Sequence, residues 1–502
     1  MRLTALTRLA VAGTRTDTVR ITLTGLAAAA AVLAWLSAAT VASLGFSGSD
    51  LGSAGDNLRY RPDLLQQPGL RPGVVATLIL LTVPVLAFAG QCSRLGAPAR
   101  DRRLAAIRLA GATPRQALAL ASAETGVASA IGSALGLGAF FLLRVLLNNP
   151  DANGQLAVPA DVLPPVWSIV LIAAGLPILA ALAAAWLMRR VIVTPLGVVH
   201  RVRRTGAPKP WPGVMVAIAL LIFGLYNPIV LYADDRHWHS PHWLQNATWL
   251  APTLLFGGAF AAMLGVCFSS GWFSYTAGRL MRRFGGSASV QLAGARLIDD
   301  PWSTSRSMAV ILVATVFGGG AAAFYAYTET QNQVSLQQTI LQNPGEDPRS
   351  LVTDDSFFVD TLKLIALAIT IALVIAALGQ LVSIVEAMVA RRRAYASLVA
   401  TGVPRATLAR TAVWQALAGA APPVVFGTVV GVGAIRLFSG TKISQSFSIG
   451  DAPPVSTTLH VPWPWAQMGL TVGVALAAVL LTTAIGMLFI KSSTSVEELR
   501  TA

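Results

Sequence analysis

The chain has 502 residues, of which 54% are hydrophobic and only 12% charged, with a formal net charge of +15. A soluble protein this apolar lacks the polar groups to cover its surface, so the bilayer is its natural solvent. The positive charge forms no single face or tail, which argues against nucleic acid as a partner. Basic residues instead flank apolar segments, where they act as topology signals. Cys92 and Cys267 both fall inside apolar segments and read as small buried hydrophobes, not as a disulfide or metal pair.

In chain order, a short amphipathic stretch over Leu6–Gly13 feeds an Ala-rich apolar segment near 20–44. Preceding arginines give this segment the look of a signal peptide, but it is too long for a signal core and reads as a membrane anchor. A small connection over 45–71 leads to a second apolar segment at 72–93, a basic turn at 101–116, and further segments at 121–147 and 164–188. A central pair follows at 211–232 and 251–278. A second amphipathic stretch, Val290–Ile298, is stopped by Asp299-Asp300-Pro301, and four more segments run at 305–327, 359–388, 410–437 and 464–490. Each reaches the ~20 residues that cross a bilayer as a helix. The two amphipathic stretches read as interfacial elbow helices.

The predicted fold is an all-α integral membrane protein with ten transmembrane helices grouped as four, two and four. Its expected divisions are 1–204, 205–285 and 286–502: two four-helix halves of one design joined by a helix pair, an internal pseudo-dimer. With both termini in the cytoplasm, 28 of the 37 Lys and Arg residues but only 8 of the 22 Asp and Glu residues fall inside. Every cytoplasmic connection is then basic.

One turn design occurs in both halves. The first copy spans Asp101–Gln116 and the second Arg392–Thr407, and Asp101 through Glu124 aligns without a gap with Arg392 through Gln415. Each has a basic run, a short amphipathic helix, a glycine stop, a Pro-Arg restart and then a new apolar helix. In the first copy Arg102, Arg103 and Arg108 are expected to face water and headgroups, while Leu104, Ile107 and Leu109 make apolar contact. Gly111 suits the left-handed conformation that ends a helix, Thr113 is a good N-cap, and Pro114 fits the first helical position. In the second copy Arg393 opens the unit, Tyr395 and Leu398 supply the apolar face, Gly402 stops the helix, and Pro404 with Arg405 restarts it. Two such elbows at equivalent places suggest that something outside the membrane pushes on them.

These residues resemble the FtsX-like permease family of ABC transporters, the type VII or macrolide-exporter superfamily. That family has a basic stretch leading into a pattern like Leu-Arg-Ala-Leu-Gly-Ala-Ser/Thr-Arg-Arg-Gln, then a span with an early Glu. Ile107 through Gln116 with Glu124 fits this pattern. The second copy is looser, with Val399 in place of the Arg and Gln415 in place of the Glu. The resemblance implies that each unit is a coupling helix docking into a cytoplasmic ATPase, carried on Arg102, Arg103, Leu104, Ile107, Arg108, Gly111, Arg115 and Glu124, and on Arg393, Tyr395, Leu398, Gly402, Pro404, Arg405 and Gln415. It further implies a bacterial plasma membrane and two ATPase subunits per chain. The arrangement is like that of the bacitracin-resistance permeases, but their large extracellular domain has no room here: the connection at 328–358 is only some 30 residues.

The chain is not expected to hydrolyse ATP itself. A P-loop needs Gly-Lys-Ser/Thr, and Lys209, Lys363, Lys442 and Lys491 follow Pro, Leu, Thr and Ile. No cofactor is expected on this chain, and ATP would be used by the partner subunit. His237, His239 and His242 are a weak candidate metal set beside the interfacial Trp238 and Trp243. Glu124 and Glu386 lie near the turns and are expected to pair with turn arginines rather than carry protons. The glycine runs at 132–138, 318–320 and 427–433 are expected to let helices approach closely. The leading function is an ATP-driven export permease for an amphipathic or hydrophobic molecule such as a drug, antibiotic, peptide or lipid; the alternative is a signalling protein that transmits ATP-driven motion without transport.

Overall fold

The computed structural model describes residues 15–44, 59–66, 71–92, 103, 105–109, 111–192, 207–235, 250–342, 356–390, 397–447 and 455–493. Helix dominates, because backbone groups in hydrocarbon must be satisfied within their own segment. The helices are α1 (Arg15–Ala42), α2 (Asp63–Gln66), α3 (Arg71–Leu80), α4 (Thr82–Cys92), α5 (Pro114–Leu147), α6 (Val166–Ile192) and α7 (Pro212–Asp235). They continue with α8 (Leu250–Phe284), α9 (Ala288–Asp299), α10 (Pro301–Gln342), α11 (Ser356–Ala390), α12 (Arg405–Ser439) and α13 (Trp465–Ser493). Among the described residues, eight helices are long and apolar enough to cross a membrane. The described part of α7 adds a shorter apolar stretch, Pro212–Leu225, and α8 is a further helix of 35 residues.

The chain forms two compact units: residues 1–204 with 378–391, and residues 205–377 with 392–502. In the first unit, α1 and α5 make the most extensive helix pair and α6 packs on both. They approach through glycine: a Cβ on Gly132 would run into the carbonyl of Gly25, and one on Gly136 into that of Ala29. Val32, Leu36, Phe140 and Ile172 fill the core. At the end opposite the turn, Tyr60 pairs in parallel with Leu156. There the Tyr60 hydroxyl donates to Asp161 Oδ1 at 2.9 Å, and Arg59 and Arg61 pair with Asp161 and Asp151 at 3.2 and 3.1 Å. Arg144, in the last turn of α5, donates to Val162 O at 2.5 Å.

The second unit repeats this scheme. The α10–α12 pair is its most extensive, with Gly431 against Val316 O and Gly319 against Thr428 O. Arg436, in the last turn of α12, donates to Pro462 O at 2.9 Å and Val461 O at 3.1 Å, just before α13. The central helices α7 and α8 pack against α12 within this unit, and the elbow helix α9 packs on α8 and α12.

Two elements depart from expectation. The connection at 328–358 is not loop throughout, since α10 runs on to Gln342 over 42 residues. At 1.5 Å per residue that is about 63 Å, twice the bilayer core. The expected all-helical fold also carries an antiparallel hairpin, β1 (Lys442–Phe447) with β2 (Val455–His460), in register Ile443 with Leu459. Ala326, Val334, Ile443 and Val461 join the hairpin to the α10 extension in one apolar cluster.

Candidate functional site

Where they are described, the two turn units adopt the same backbone at their stops. In the first, residues 105–109 form a helical turn that ends at Gly111, whose φ is 94°. The Gly111 amide donates to Arg108 O at 3.0 Å and the Ala112 amide to Ile107 O at 3.2 Å. In the second, residues 397–400 are helical and Gly402 has φ 91°. The Gly402 amide donates to Val399 O at 3.0 Å and the Val403 amide to Leu398 O at 3.1 Å. Both are Schellman stops, which satisfy the last carbonyls of a helix and need a left-handed residue.

The restarts differ. Thr113 caps α5 with a full capping box, its hydroxyl accepting from the Gln116 amide at 3.3 Å while the Gln116 side chain accepts from the Thr113 amide at 3.1 Å. At α12 the N-cap is Pro404, which has no side chain to do this. Only its carbonyl is used, by the Thr407 and Leu408 amides.

Beneath the first turn lies a buried ionic cluster. Glu124, in the third turn of α5, pairs through Oε2 with Arg20 Nη2 of α1 at 2.9 Å and through Oε1 with Arg103 Nη2 of the turn. The side chains of Arg20 and Glu124 are 6% and 3% exposed, and that of Arg103 is 29% exposed. A water-sized cleft lined by Arg20, Ile21, Thr24, Glu124, Thr125 and Ala128 adjoins the pair. Ile107 packs with Leu118 on the buried Ala117, Leu120 and Ala121.

The C-terminal FtsX-like permease model matches the chain twice, over residues 72–195 and 366–494, together half of its length. Each match contains one turn unit. The chain belongs to the FtsX-like permease family. Members of this family are permease components of ABC transporters and normally work with a cytoplasmic ATPase. No curated protein matches the chain. As a family member with several long apolar helices, it is a multi-pass membrane protein.

Several residues sit differently from the sequence reading. Arg103 is only partly in water and turns its guanidinium inward to Glu124, because a buried carboxylate left without a partner is strongly destabilising. Leu109 makes no apolar burial and is 91% exposed at the turn tip. Ile107 and Arg108 are half-buried, Arg115 is exposed, and Leu398 is half-buried. Gly402 and Pro404 are exposed and Gln415 is half-buried on α12; Arg405 opens α12. Glu386 is half-buried near the end of α11. Arg102, Leu104, Arg393, Tyr395 and the histidines 237, 239 and 242 lie outside the described residues, as does the elbow stretch at 6–13. Among the described residues no group of His, Cys, Asp or Glu could hold a metal ion. The sequence reading missed Arg20. The available signal was one arginine at the edge of the first span facing one glutamate early in the third.

Proposed function

We propose that this FtsX-like permease is the membrane subunit of an ABC exporter, in which two subunits of a separate cytoplasmic ATPase drive one permease chain. On this reading residues 1–204 and 286–502 are the two permease halves and 205–285 the joining pair, within a bacterial plasma membrane and with both termini in the cytoplasm. The cargo is an amphipathic or hydrophobic molecule, in keeping with short outer connections that leave no large capture domain. The observation that carries the reading is the duplicated turn: two Schellman stops, at Gly111 and Gly402, each immediately before a long apolar helix. A helix that stops and restarts across one glycine makes a stiff lever, suited to passing a push from outside the membrane into a span. The first lever presents Leu109 and Arg115 to a partner, and the second presents Ala400 and Pro404.

The test is co-purification with the ATPase, followed by native mass measurement. Two ATPase subunits on one permease chain are expected. Two permease chains on one ATPase pair would overturn the internal-dimer reading.

A further inference from the structure

The end of α8 carries an exposed surface outside both turn units. We propose that the α8–α9 hairpin binds anionic lipid headgroups, with Arg279 and Arg283 on the phosphate and Leu280 and Phe284 against the acyl chains beside it. The proposal goes beyond the export reading and does not depend on it.

Residues 285–287 turn the chain back on itself. The Gly285 amide donates to Met281 O at 2.8 Å, the Ser287 hydroxyl accepts from the Val290 amide at 3.4 Å, and Gln291 Nε2 donates to Gly285 O at 3.1 Å. From there α9 runs back along α8. Gly271, Gly278 and Gly285 are spaced by seven and so lie along one side of α8, about two turns apart. A Cβ on Gly278 would meet Gly294 O at 2.9 Å, one on Gly294 would meet Gly278 O at 2.8 Å, and one on Gly271 would meet the Trp302 ring at 3.0 Å. Contact this close leaves the hairpin little room to slide, and α9 also packs on α12.

At about 100° per residue, Arg279, Leu280, Arg283 and Phe284 project from the side of α8 opposite Gly278. All four are exposed, Leu280 at 64% and Phe284 at 74%. They form two columns at helical spacing, Arg279 with Arg283 and Leu280 with Phe284. Arg283 Cζ stands 5.6 Å from the centre of the Phe284 ring, which ties the columns together. Arg282 lies nearer α9, its stem against Gly294, and is exposed as well. Among the described residues, no carboxylate pairs with these three arginines.

A basic column beside an apolar one is the pattern of a helix face at a membrane interface. Depth agrees with it. At 1.5 Å per residue, the 35 residues of α8 span about 52 Å, more than the ~40–45 Å of a bilayer with its headgroups. The half-buried Trp272 and Tyr275 suit the interface, and Arg279 follows one turn later. Three arginines within five residues complement phosphate, while Leu280 and Phe284 complement acyl chains. An acidic protein surface would satisfy the arginines too, but α8 enters this face straight from its apolar stretch, where headgroups are the nearest anions.

The test uses the full chain and two lipids, phosphatidylglycerol and phosphatidylcholine. In stepwise lipid addition followed by native mass measurement, phosphatidylglycerol should bind at least tenfold more tightly. Arg279→Gln should weaken it about fivefold, the gain expected of one arginine near an anionic surface. Arg279→Gln with Arg283→Gln should weaken it more than tenfold and leave phosphatidylcholine unaffected, while lysine at both positions should keep most of the preference. These positions are exposed, and an unchanged thermal midpoint checks that each variant folds. Phosphatidylglycerol binding unchanged in the double Gln variant would overturn the proposal. So would loss of ATPase binding in that variant with lipid binding intact, which would assign the face to the ATPase. A second measurement needs no variant: hydroxyl-radical oxidation of Phe284 should fall at least threefold from phosphatidylcholine to phosphatidylglycerol nanodiscs. Equal oxidation in the two would leave Phe284 in water and end the lipid reading.

Discussion

A Cβ at Gly111 or Gly402 would meet nothing within 4 Å, so each glycine is demanded by its positive φ alone. A branched residue there costs on the order of 1 kcal/mol. That is too little to prevent a helical bundle from assembling, but enough to re-aim an elbow. Gly111→Val is expected to leave membrane insertion intact while lowering ATPase stimulation, and to do so more than Gly402→Val because the first turn matches the family pattern more closely and its restart carries a full capping box. Full activity in the double variant would show that these turns are ordinary loops. At the opposite end, burial, reinforced by the hydrogen bond to Asp161, pushes the Tyr60 phenol well above its usual value near 10. A group with a raised folded pKa gives stability that is complete below its unfolded pKa and fades as pH climbs toward the folded one. Tyr60→Phe should therefore cost about 1 kcal/mol at pH 8 through the lost hydrogen bond. The difference in thermal midpoint between the two proteins should narrow above about pH 10. A gap that stays constant to pH 11 would mean Tyr60 is not shielded. The turn glycines were legible because basic run, apolar face, Gly and Pro occur in order within sixteen residues of each copy. Arg20 was not, because its partner is 104 positions away and an arginine at a span edge reads the same whether it marks topology or fills a buried pair.

Helices α5 and α12 are read correctly as close-packing elements from their glycine runs, and the structure says which glycines matter. Gly132 and Gly431 lie against backbone carbonyls of α1 and α10, whereas Gly138 on the same face-to-face run has open space around its missing Cβ. Gly431→Leu must push α12 off α10, since a carbonyl cannot swing aside as a flexible side chain can. An overpacked crossing of this kind costs about 1–3 kcal/mol. The thermal midpoint in detergent should fall for Gly431→Leu and Gly132→Leu and stay near the parent value for Gly138→Leu. Equal behaviour of all three would remove the argument that these two crossings depend on glycine. The same pair of helices shows where sequence patterns run out. The α10 extension beyond Tyr327 is rich in Thr, Gln and Asn, which reads as a connection, yet it continues as helix because Val334 is fully buried against the hairpin. The strands β1 and β2 are short and mostly polar, with Ile443 and Phe447 apolar in one and Val455 and Leu459 in the other, and two apolar residues per strand give no alternation to read.

Across the whole chain, the strongest sequence signal is the distribution of charge relative to the apolar helices, and it bears on orientation. Placing an arginine at the centre of a membrane costs about 2.5–3.5 kcal/mol, so clusters of them resist translocation and stay on the side of synthesis. The two turn units sit at the N-terminal ends of α5 and α12, in basic surroundings, while the α10 extension and the hairpin lie at the far end of the second unit, where Arg436 meets the Trp463 ring at 4.7 Å. If the turns are cytoplasmic, that far end is outside. Ala105, Ala400 and Ser335 are exposed and report on the two ends without disturbing packing. The native thiols give little background, because Cys92 is buried and Cys267 lies partly enclosed in α8. In intact cells an impermeant maleimide should label Ser335→Cys and spare Ala105→Cys and Ala400→Cys, with all three reacting once the membrane is opened. Labelling at position 400 in sealed cells would place the second turn outside, where no cytoplasmic ATPase could reach it, and the two-lever reading would fall with it.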